Sequence, residues 1–319
     1  MNRTVAVRGS DAPPHGARPP TATSSCVICT VPRSGSWLLS EGLSQAGIGR
    51  PEEFLRRDWY LRFDDRGRLE YQHRLHRAQC WPDGSAWCAP RQRSTWAAAR
   101  PDARADYWSF LRATLEVGTT GAVFGIKMHR GQLEDAVALA RVTRPDVSDV
   151  DLMRAWLPAP RFVFLHRRDQ LRRAVSHFRA LRSDVWWRTA GADGARSAPD
   201  DPDVDPVAIH RLLRRGRREL TSWRAFFHRM GVTPLDVAYE DLAVDPAGAV
   251  SRVIAHMGAG TPRTAPDEPP RLRRQADGWT DHAVHTYLTW RRTHAPPSAG
   301  YGADYTDHDD EIGDDVSET

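Results

Sequence analysis

The chain has 319 residues, of which 40% are hydrophobic and 27% are charged. This length and composition predict a globular protein with one large domain or two small ones. No apolar stretch approaches the roughly 18 residues that a membrane span needs, and residues 1–25 lack the apolar run of a signal peptide. We therefore expect a cytoplasmic protein with no membrane partner.

The net charge of +4 conceals an uneven distribution. Eight acidic residues and no Lys or Arg lie in residues 300–319, which leaves 45 basic against 33 acidic residues, or +12, in the rest of the chain. Such an excess favours an anionic partner, which could be a nucleic acid, a phosphorylated cofactor or an acidic substrate. Lys127 is the only lysine among these basic residues. The four cysteines are too few for a disulfide framework in a chain of this length.

Three segments lack the hydrophobic periodicity of folded structure. Residues 1–23 are rich in Pro, Thr, Gly and Ala, and residues 300–319 form an acidic tail, so we predict that both are disordered. Residues 190–205 carry Gly, Ser, Pro and Asp and are predicted to form a long surface loop. The remaining pattern predicts one domain over residues 24–299.

Short apolar runs alternate with helical patterns along this domain. Runs of the length and composition of buried strands cover residues 26–31, 123–128, 162–166 and 235–239. Helical periodicity covers residues 36–46, 103–116, 132–142, 170–182 and 207–230. This order predicts an α/β fold with a central parallel sheet flanked by helices. Ligands of such sheets bind at the carboxyl ends of the strands.

The first predicted strand runs into a short loop, Pro32-Arg33-Ser34-Gly35-Ser36, that opens directly into a helix. Backbone N–H groups at the helix start, the hydroxyls and Arg33 could bind a phosphate together, while Gly35 allows close approach. A serine N-cap in a tight turn is the purely structural alternative. An ordinary ATPase, GTPase or nucleotide kinase would need Gly-Lys-Ser/Thr in this loop, so the sequence disfavours these classes.

Five motifs together resemble sulfotransferases that use 3′-phosphoadenosine 5′-phosphosulfate (PAPS), and in particular their Stf0 branch. They are Arg-Ser-Gly-Ser at 33–36, Pro-Glu-Glu-Phe at 51–54, Gly-Ile-Lys at 125–127, His-Arg-Arg-Asp at 166–169 followed by Ala-Val-Ser at 174–176, and Arg-Gln-Ala-Asp at 274–277. The resemblance covers about residues 26–292. One departure is Arg168, which stands where the family has Pro.

The resemblance implies a P-loop-like three-layer α/β fold and transfer of a sulfuryl group from PAPS, as co-substrate, to a hydroxyl of a small-molecule acceptor. A sugar or glycosylated natural product is the implied acceptor, because the branch includes a disaccharide sulfotransferase. No metal is required by the residues present, and no nucleic-acid partner is expected. The branch contains dimers, so we expect a homodimer.

By the same resemblance Glu53 is the general base that removes the acceptor's proton. Glu52, one residue earlier, is its rival in the sequence. Lys127 would direct a compact cation toward the transferring group or the acceptor pocket, and its structural alternative is a salt bridge. Three histidines are second choices for the base: His129, His166 and His177.

The resemblance also assigns residues to the two phosphate groups of the donor. The expected contacts of the 5′-phosphosulfate are Arg33, Ser34, Gly35, Ser36 and Trp37. The ring of Trp37 could equally pack in the helix core.

Arg167 and Ser176, the latter expected near the start of the following helix, would bind the 3′-phosphate, and Arg274 would close over the nucleotide. Arg172 and Arg173 are expected to be solvated arginines on a helix face. Arg168 could add a phosphate contact or shift Arg167.

Two other interpretations are weighed against this one. Cys26 and Cys29 have zinc-like spacing, with Cys80 and Cys88 as possible partners, but residues i and i+3 of a strand face opposite sides of a sheet. The basic body also suggests a non-catalytic module that binds a nucleotide or a nucleic acid. A nucleic-acid binder should carry a contiguous arginine face, whereas these arginines are spread through helices and strand ends.

Overall fold

The computed structural model describes residues 21–56, 107–183, 185–186, 202–258 and 277–294. Several predictions fall outside these ranges: residues 1–20, residues 190–201 of the predicted loop, Arg274 and the acidic tail. Cys80 and Cys88 also lie outside the described residues.

A five-stranded sheet forms the centre of the molecule. Its strands are β1 (Ser24–Thr30), β2 (Thr119–Thr120), β3 (Val123–His129), β4 (Pro160–His166) and β5 (Leu235–Ala238), in the order β2-β3-β1-β4-β5. β1 pairs in parallel with β3 and β4, and β4 pairs in parallel with β5. The two-residue β2 pairs antiparallel with β3. The predicted α/β fold with a central, mostly parallel sheet is confirmed.

Helices cover both faces of the sheet. They are α1 (Ser36–Gln45), α2 (Tyr107–Gly118), α3 (Arg130–Ala140), α4 (Asp149–Trp156), α5 (Gln170–Ser183), α6 (Pro206–Met230), α7 (Tyr239–Val244), α8 (Pro246–Met257) and α9 (Gly278–His294). The sequence analysis identified α1, α2, α3, α5 and α6, and missed the other four. No helix in the described part of the chain combines the length and the apolar character that crossing a membrane would require.

Alternate residues of β1 enter two separate cores. Val27 and Cys29 pack with side chains of α2, α3, α4 and α6 on one face. Cys26 and Ile28 pack with α1, α7 and α8 on the other. Residues i and i+1 of a strand point to opposite faces, so two helical layers enclose the sheet. The two cysteines therefore face different cores, as the strand geometry predicts, and burial raises the pKa of Cys26 to about 12.

A third, smaller core joins α5, α6 and α9, and includes Phe178, Leu213 and Tyr287. It packs α5 against α6 and α9, and α5 begins four residues after the end of β4. Because β1, β3 and β4 run in parallel, their carboxyl ends meet at one edge of the sheet, where the loops that follow them converge.

Candidate active site

The loop between β1 and α1 adopts a conformation that only some residues tolerate. Arg33 has φ of 71° and Gly35 has φ of 81°, both in the left-handed region. A Cβ atom at Gly35 would lie 2.5 Å from a ring carbon of Tyr239, so the backbone approaches α7 closely here. Ser34 is fully buried, and its Oγ has no hydrogen-bond partner among the described residues. A buried hydroxyl without a partner is costly, and a bound anion would supply one.

Arg33 brings α5 to this loop. Its Nε donates a hydrogen bond to Ser176 Oγ at 2.9 Å, and its Nη1 donates to the carbonyl of Trp186. Burial and the charge of Arg167 lower the pKa of Arg33 to about 10, against an opposing effect of Tyr239, so it stays a cation at neutral pH. Ser176 lies in the middle of α5 rather than near its start, so that part of the prediction is wrong.

Arg167 follows β4 and points toward the same loop. Its guanidinium lies 4.8 Å from the ring centre of Tyr239, the residue that also packs against Gly35. Its Nε is 3.8 Å from Glu240 Oε1. Arg33, Ser34 and Arg167 thus gather at the carboxyl ends of β1 and β4, where two positive charges and a buried hydroxyl could bind an anion.

Arg168 points away from this group. Its guanidinium donates two hydrogen bonds to the carboxylate of Asp241 on α7, at 2.8 and 2.6 Å. Its backbone N–H donates to Glu240 Oε2 at 3.0 Å. The side chain that replaces the family's Pro therefore connects its loop to α7.

Arg173 is buried, so the expectation that it is solvated is wrong. It donates hydrogen bonds to the carbonyl of Leu212 at 2.7 Å and to that of Pro32 at 3.4 Å. A Cβ atom at Gly216 of α6 would overlap the guanidinium, so this glycine provides the space. Through its hydrogen bond to Pro32, Arg173 supports the phosphate loop, residues 32–36. Arg172 lies on the outer face as expected and pairs with Asp281 at 2.6 Å.

A short extended segment places Glu53 beside β3. Glu52 forms an isolated parallel bridge with Ile126, and the N–H of Lys127 donates to the carbonyl of Glu52 at 3.1 Å. A Cβ atom at Gly125 would lie 2.7 Å from the backbone nitrogen of Arg50, so the close approach requires this glycine. The segment fixes the Glu53 side chain next to that of Lys127.

Glu53 lies in a cluster of groups that stabilise its charge. Its Oε1 is 3.6 Å from Lys127 Nζ and 3.8 Å from His129 Nε2. Its Oε2 accepts a hydrogen bond from Gln132 Nε2 at 3.0 Å. Burial alone would raise the pKa of Glu53, but the charges of Lys127, His129 and Arg56 and the Gln132 hydrogen bond outweigh it and lower the pKa to about 2. The carboxylate is therefore ionised at neutral pH.

Lys127 lies between Glu53 and an aromatic ring. Its side chain is 1% exposed, and its Nζ is 3.6 Å from the centre of the Trp37 ring, which is a cation–π contact. Burial lowers the pKa of Lys127, while Glu53 and Glu52 act in the opposite direction. Beyond the ion pair with Glu53, the ammonium has no hydrogen-bond partner among the described residues. The Trp37 ring thus contacts the site itself.

The three histidines named as second choices have different positions. His129 adjoins Glu53, and its Nδ1 lies 3.3 Å from the carbonyl of Thr30. His166 instead contacts Asp236 at 2.9 Å. Burial, followed by the charges of Arg173, Arg33 and other cations, lowers the pKa of His177 to about 3, so that ring is neutral.

The sequence reasoning missed the position of His129 next to Glu53 and missed Gln132 altogether. His129 ends a buried strand and Gln132 lies in the first turn of the following helix, which marks both as candidates for a site at that edge of the sheet. The pairing that brings Glu53 beside them is not local in the sequence. Within the described residues, no group of three or more His, Cys, Asp or Glu side chains could hold a metal ion.

Comparison with known proteins gives three kinds of similarity. The Stf0 sulphotransferase family model matches residues 25–289. A trehalose 2-sulfotransferase of Mycobacterium tuberculosis (strain ATCC 35801 / TMC 107 / Erdman) is 29% identical over 284 residues, which cover 82% of this chain and 93% of the relative. Another, from Mycolicibacterium smegmatis (strain ATCC 700084 / mc(2)155), is 30% identical over 273 residues, which cover 80% and 91%. The sulfotransferase domain of the Synechococcus PCC 7002 olefin synthase is 18% identical with a TM-score of 0.33, covering 92% of this chain and 94% of that chain.

Proposed function

The chain belongs to the Stf0 sulphotransferase family, and on that premise we propose that it transfers a sulfuryl group from PAPS to a hydroxyl of a sugar, with Glu53 as the general base. The observation that carries the proposal is the buried Lys127 ammonium, held 3.6 Å from Glu53 without a hydrogen-bond partner among the described residues. A cation in that state is matched to an anionic group that arrives with a substrate.

Two groups of side chains divide the work in this proposal. Arg33, Ser34 and the backbone of the phosphate loop hold the 5′-phosphosulfate, while Arg167, with Ser176, holds the 3′-phosphate. Ser176 Oγ accepts from Arg33, so its hydroxyl is free to donate to a phosphate oxygen. Arg274, which lies outside the described residues, stays a predicted contact of the nucleotide.

Glu53 and Lys127 act at the reacting centre. The acceptor oxygen bonds to sulfur, the bond between sulfur and the phosphate oxygen breaks, and the acceptor's proton passes to Glu53. Lys127 stabilises the negative charge that develops on the transferring group and the leaving phosphate oxygen. The products are the sulfate ester and 3′-phosphoadenosine 5′-phosphate (PAP). No step in this scheme needs a metal.

A sugar acceptor is proposed from the two mycobacterial relatives, whose names specify trehalose. Their similarity extends over most of both chains, which supports the proposal of a related acceptor. A cytoplasmic location and a homodimer complete the proposal, and size-exclusion chromatography with light scattering tests the dimer.

A transfer assay tests this function. The purified protein is incubated with radiolabelled PAPS and a panel of mono- and disaccharides that includes trehalose, and labelled sulfate ester is measured. We expect product with at least one sugar and none when PAPS is replaced by labelled inorganic sulfate with ATP. Binding of PAP without transfer to any sugar would contradict the sugar acceptor, and absence of PAP binding would contradict the donor.

A further inference from the structure

His129 and Glu53 come from different parts of the chain and face each other in the site. The Nε2 of the imidazole lies 3.8 Å from Oε1 of the carboxylate. Its other nitrogen, Nδ1, lies 3.3 Å from the carbonyl of Thr30, which can only accept a hydrogen bond. With the proton of the neutral ring on Nδ1, where it can be donated to this carbonyl, Nε2 presents its lone pair to Glu53.

Neighbouring contacts keep this arrangement in place. The carbonyl of Thr30 also accepts a hydrogen bond from the Trp223 indole at 3.0 Å, so its position is fixed. Gln132 accepts from the backbone N–H of His129 at 2.9 Å through Oε1 and donates to Glu53 through Nε2. One amide thus connects the backbone of His129 to the carboxylate that its ring faces.

Two acceptor atoms that face each other across a short gap form a site for one proton. Glu53 is stabilised as an anion, so it is a poor place for a proton to stay, whereas imidazole is in general a stronger base than a carboxylate. We propose that His129 receives the acceptor's proton from Glu53 and releases it to water, so that Glu53 is ready for the next turnover.

This inference rests on the proposed function, and its proton balance follows that reaction. The acceptor's O–H bond breaks as its oxygen bonds to sulfur, Glu53 Oε1 takes the proton, and His129 Nε2 takes it next. The distance of 3.8 Å is longer than a hydrogen bond. Catalytic hydrogen bonds are often long in ligand-free structures and close in the substrate complex, and a single water molecule can also bridge such a gap.

Several charged or titratable groups lie near Glu53 and His129. Lys127 on the same strand and Arg56 act on the charge of Glu53, and His177 from α5 interacts with His129, whereas the Arg130 guanidinium pairs with Glu134 and Asp149. The relay requires a neutral imidazole at the start of each turnover. Acid that protonates His129 before turnover blocks the relay, so kcat should fall on the acid side.

Two variants of His129 test the relay. His129→Gln should lower kcat by at least roughly 10-fold at neutral pH, flatten the acid side of the kcat profile and leave KM for PAPS within about 2-fold. His129→Gly, which opens space for a free base, should regain activity when imidazole is added. His210→Gln is the matched control, because His210 is a half-buried histidine that contacts Tyr287 at 2.9 Å, away from the site. It should keep the wild-type profile.

Three outcomes would overturn the relay. They are a wild-type kcat and pH profile in His129→Gln, a loss of activity in folded His129→Gly that imidazole does not restore, or a proton on Nε2 of the neutral ring. The last is measured by ¹⁵N NMR of histidine-labelled protein and needs no turnover. If the wild-type protein transfers no sulfate, the proposed function fails, and the tautomer still decides the arrangement of the pair: Nδ1–H supports it and Nε2–H contradicts it.

Discussion

Two clusters of charged side chains lie near the start of α3, one around Asp149 and one around Glu53. They differ in the distances between the carboxylate and its neighbours. Asp149 Oδ2 accepts hydrogen bonds from Arg130 at 2.8 Å and from Arg229 at 2.6 Å. Its Oδ1 accepts from the backbone N–H of Val150 at 2.9 Å. Glu53 Oε1, by contrast, lies 3.6 Å from Lys127 Nζ and 3.8 Å from His129 Nε2. Both carboxylate oxygens of Asp149 accept short hydrogen bonds. The longer contacts of Glu53 leave space for a substrate group.

The difference in distance indicates a difference in role. A buried ion pair offsets the cost of removing its charges from water only when its geometry is good and its other polar atoms are satisfied. The Asp149 cluster has the shorter contacts and joins α3, α4 and α6, although Arg130 Nη1 has no hydrogen-bond partner among the described residues. The longer contacts of the Glu53 and Lys127 pair leave part of the free-energy cost of burying these charges uncompensated. The anionic donor and the acceptor's hydroxyl can offset that part when they bind. We therefore assign stability to the first cluster and chemistry to the second.

The largest expected effect is that of Glu53→Gln. It keeps the shape of the side chain but removes the base, so kcat should fall by roughly 100- to 10,000-fold, while PAP binding stays within a few-fold. Steady-state kinetics and isothermal titration measure the two effects. The matched change in the Asp149 cluster, Asp149→Asn, should lower the free energy of unfolding by about 1 to 3 kcal/mol and leave kcat nearly unchanged. Normal turnover by Glu53→Gln would show that the base is assigned wrongly.

The second-largest effect is expected for Lys127→Met. The substitution keeps the length of the side chain and its contact with Trp37 but removes the charge, so kcat should fall by roughly 100-fold. Lys127→Arg should restore little, because a planar fork does not fit between the Trp37 ring and Glu53 as a compact ammonium does. Full activity in Lys127→Met, measured under saturating PAPS, would restrict Lys127 to a structural ion pair, and full activity in Lys127→Arg would show that a planar cation also fits.

Changes in the phosphate loop should affect binding more than rate. Arg33→Ala should weaken PAP binding by roughly 10- to 100-fold, since it removes a charged hydrogen-bond donor. Ser34→Ala should have a smaller effect in the same direction without lowering the melting temperature, because its hydroxyl has no partner in the described protein. Isothermal titration with PAP measures both, and unchanged affinity in both variants would exclude the loop as the donor site.

The stability of the Glu53 cluster should depend on acid pH. The folded-state pKa of Glu53 is about 2, below its ordinary value of 4.5. Its stabilising contribution is therefore present above pH 4.5 and is lost as the pH falls toward 2. Urea unfolding at several pH values should show this loss in the wild type and a smaller loss in Glu53→Gln. If the free energy of unfolding fell equally with pH in the two proteins, the ion-pair assignment would be contradicted.

The smallest effect is expected for Arg168→Ala. The guanidinium pairs with Asp241 on the surface, so its removal should leave PAP affinity within about 2-fold. Arg167→Ala is the comparison, with an expected loss like that of Arg33→Ala. If Arg168→Ala weakened binding as much as Arg167→Ala did, the side chain would have to turn toward the donor when the donor binds.

Local patterns predicted much of this structure. Four of the five strands, the loop at Arg33 and the helix from Ser36 follow from apolar runs and loop chemistry, which are local in the sequence, whereas the two-residue β2 was not predicted. Arg173 was assigned wrongly because the space it occupies is provided by Gly216, which lies on another helix. The position of His129 beside Glu53 depends on how the segment around Glu52 pairs with β3, and no local pattern encodes that pairing.

The central claim is that the Glu53 cluster and the phosphate loop form a site for a bisphosphorylated donor. Isothermal titration of the purified protein with PAP, and with ATP and AMP as controls, tests it most directly. We predict micromolar binding of PAP and much weaker binding of ATP and AMP. No binding of PAP, or equal binding of ATP, would contradict the claim.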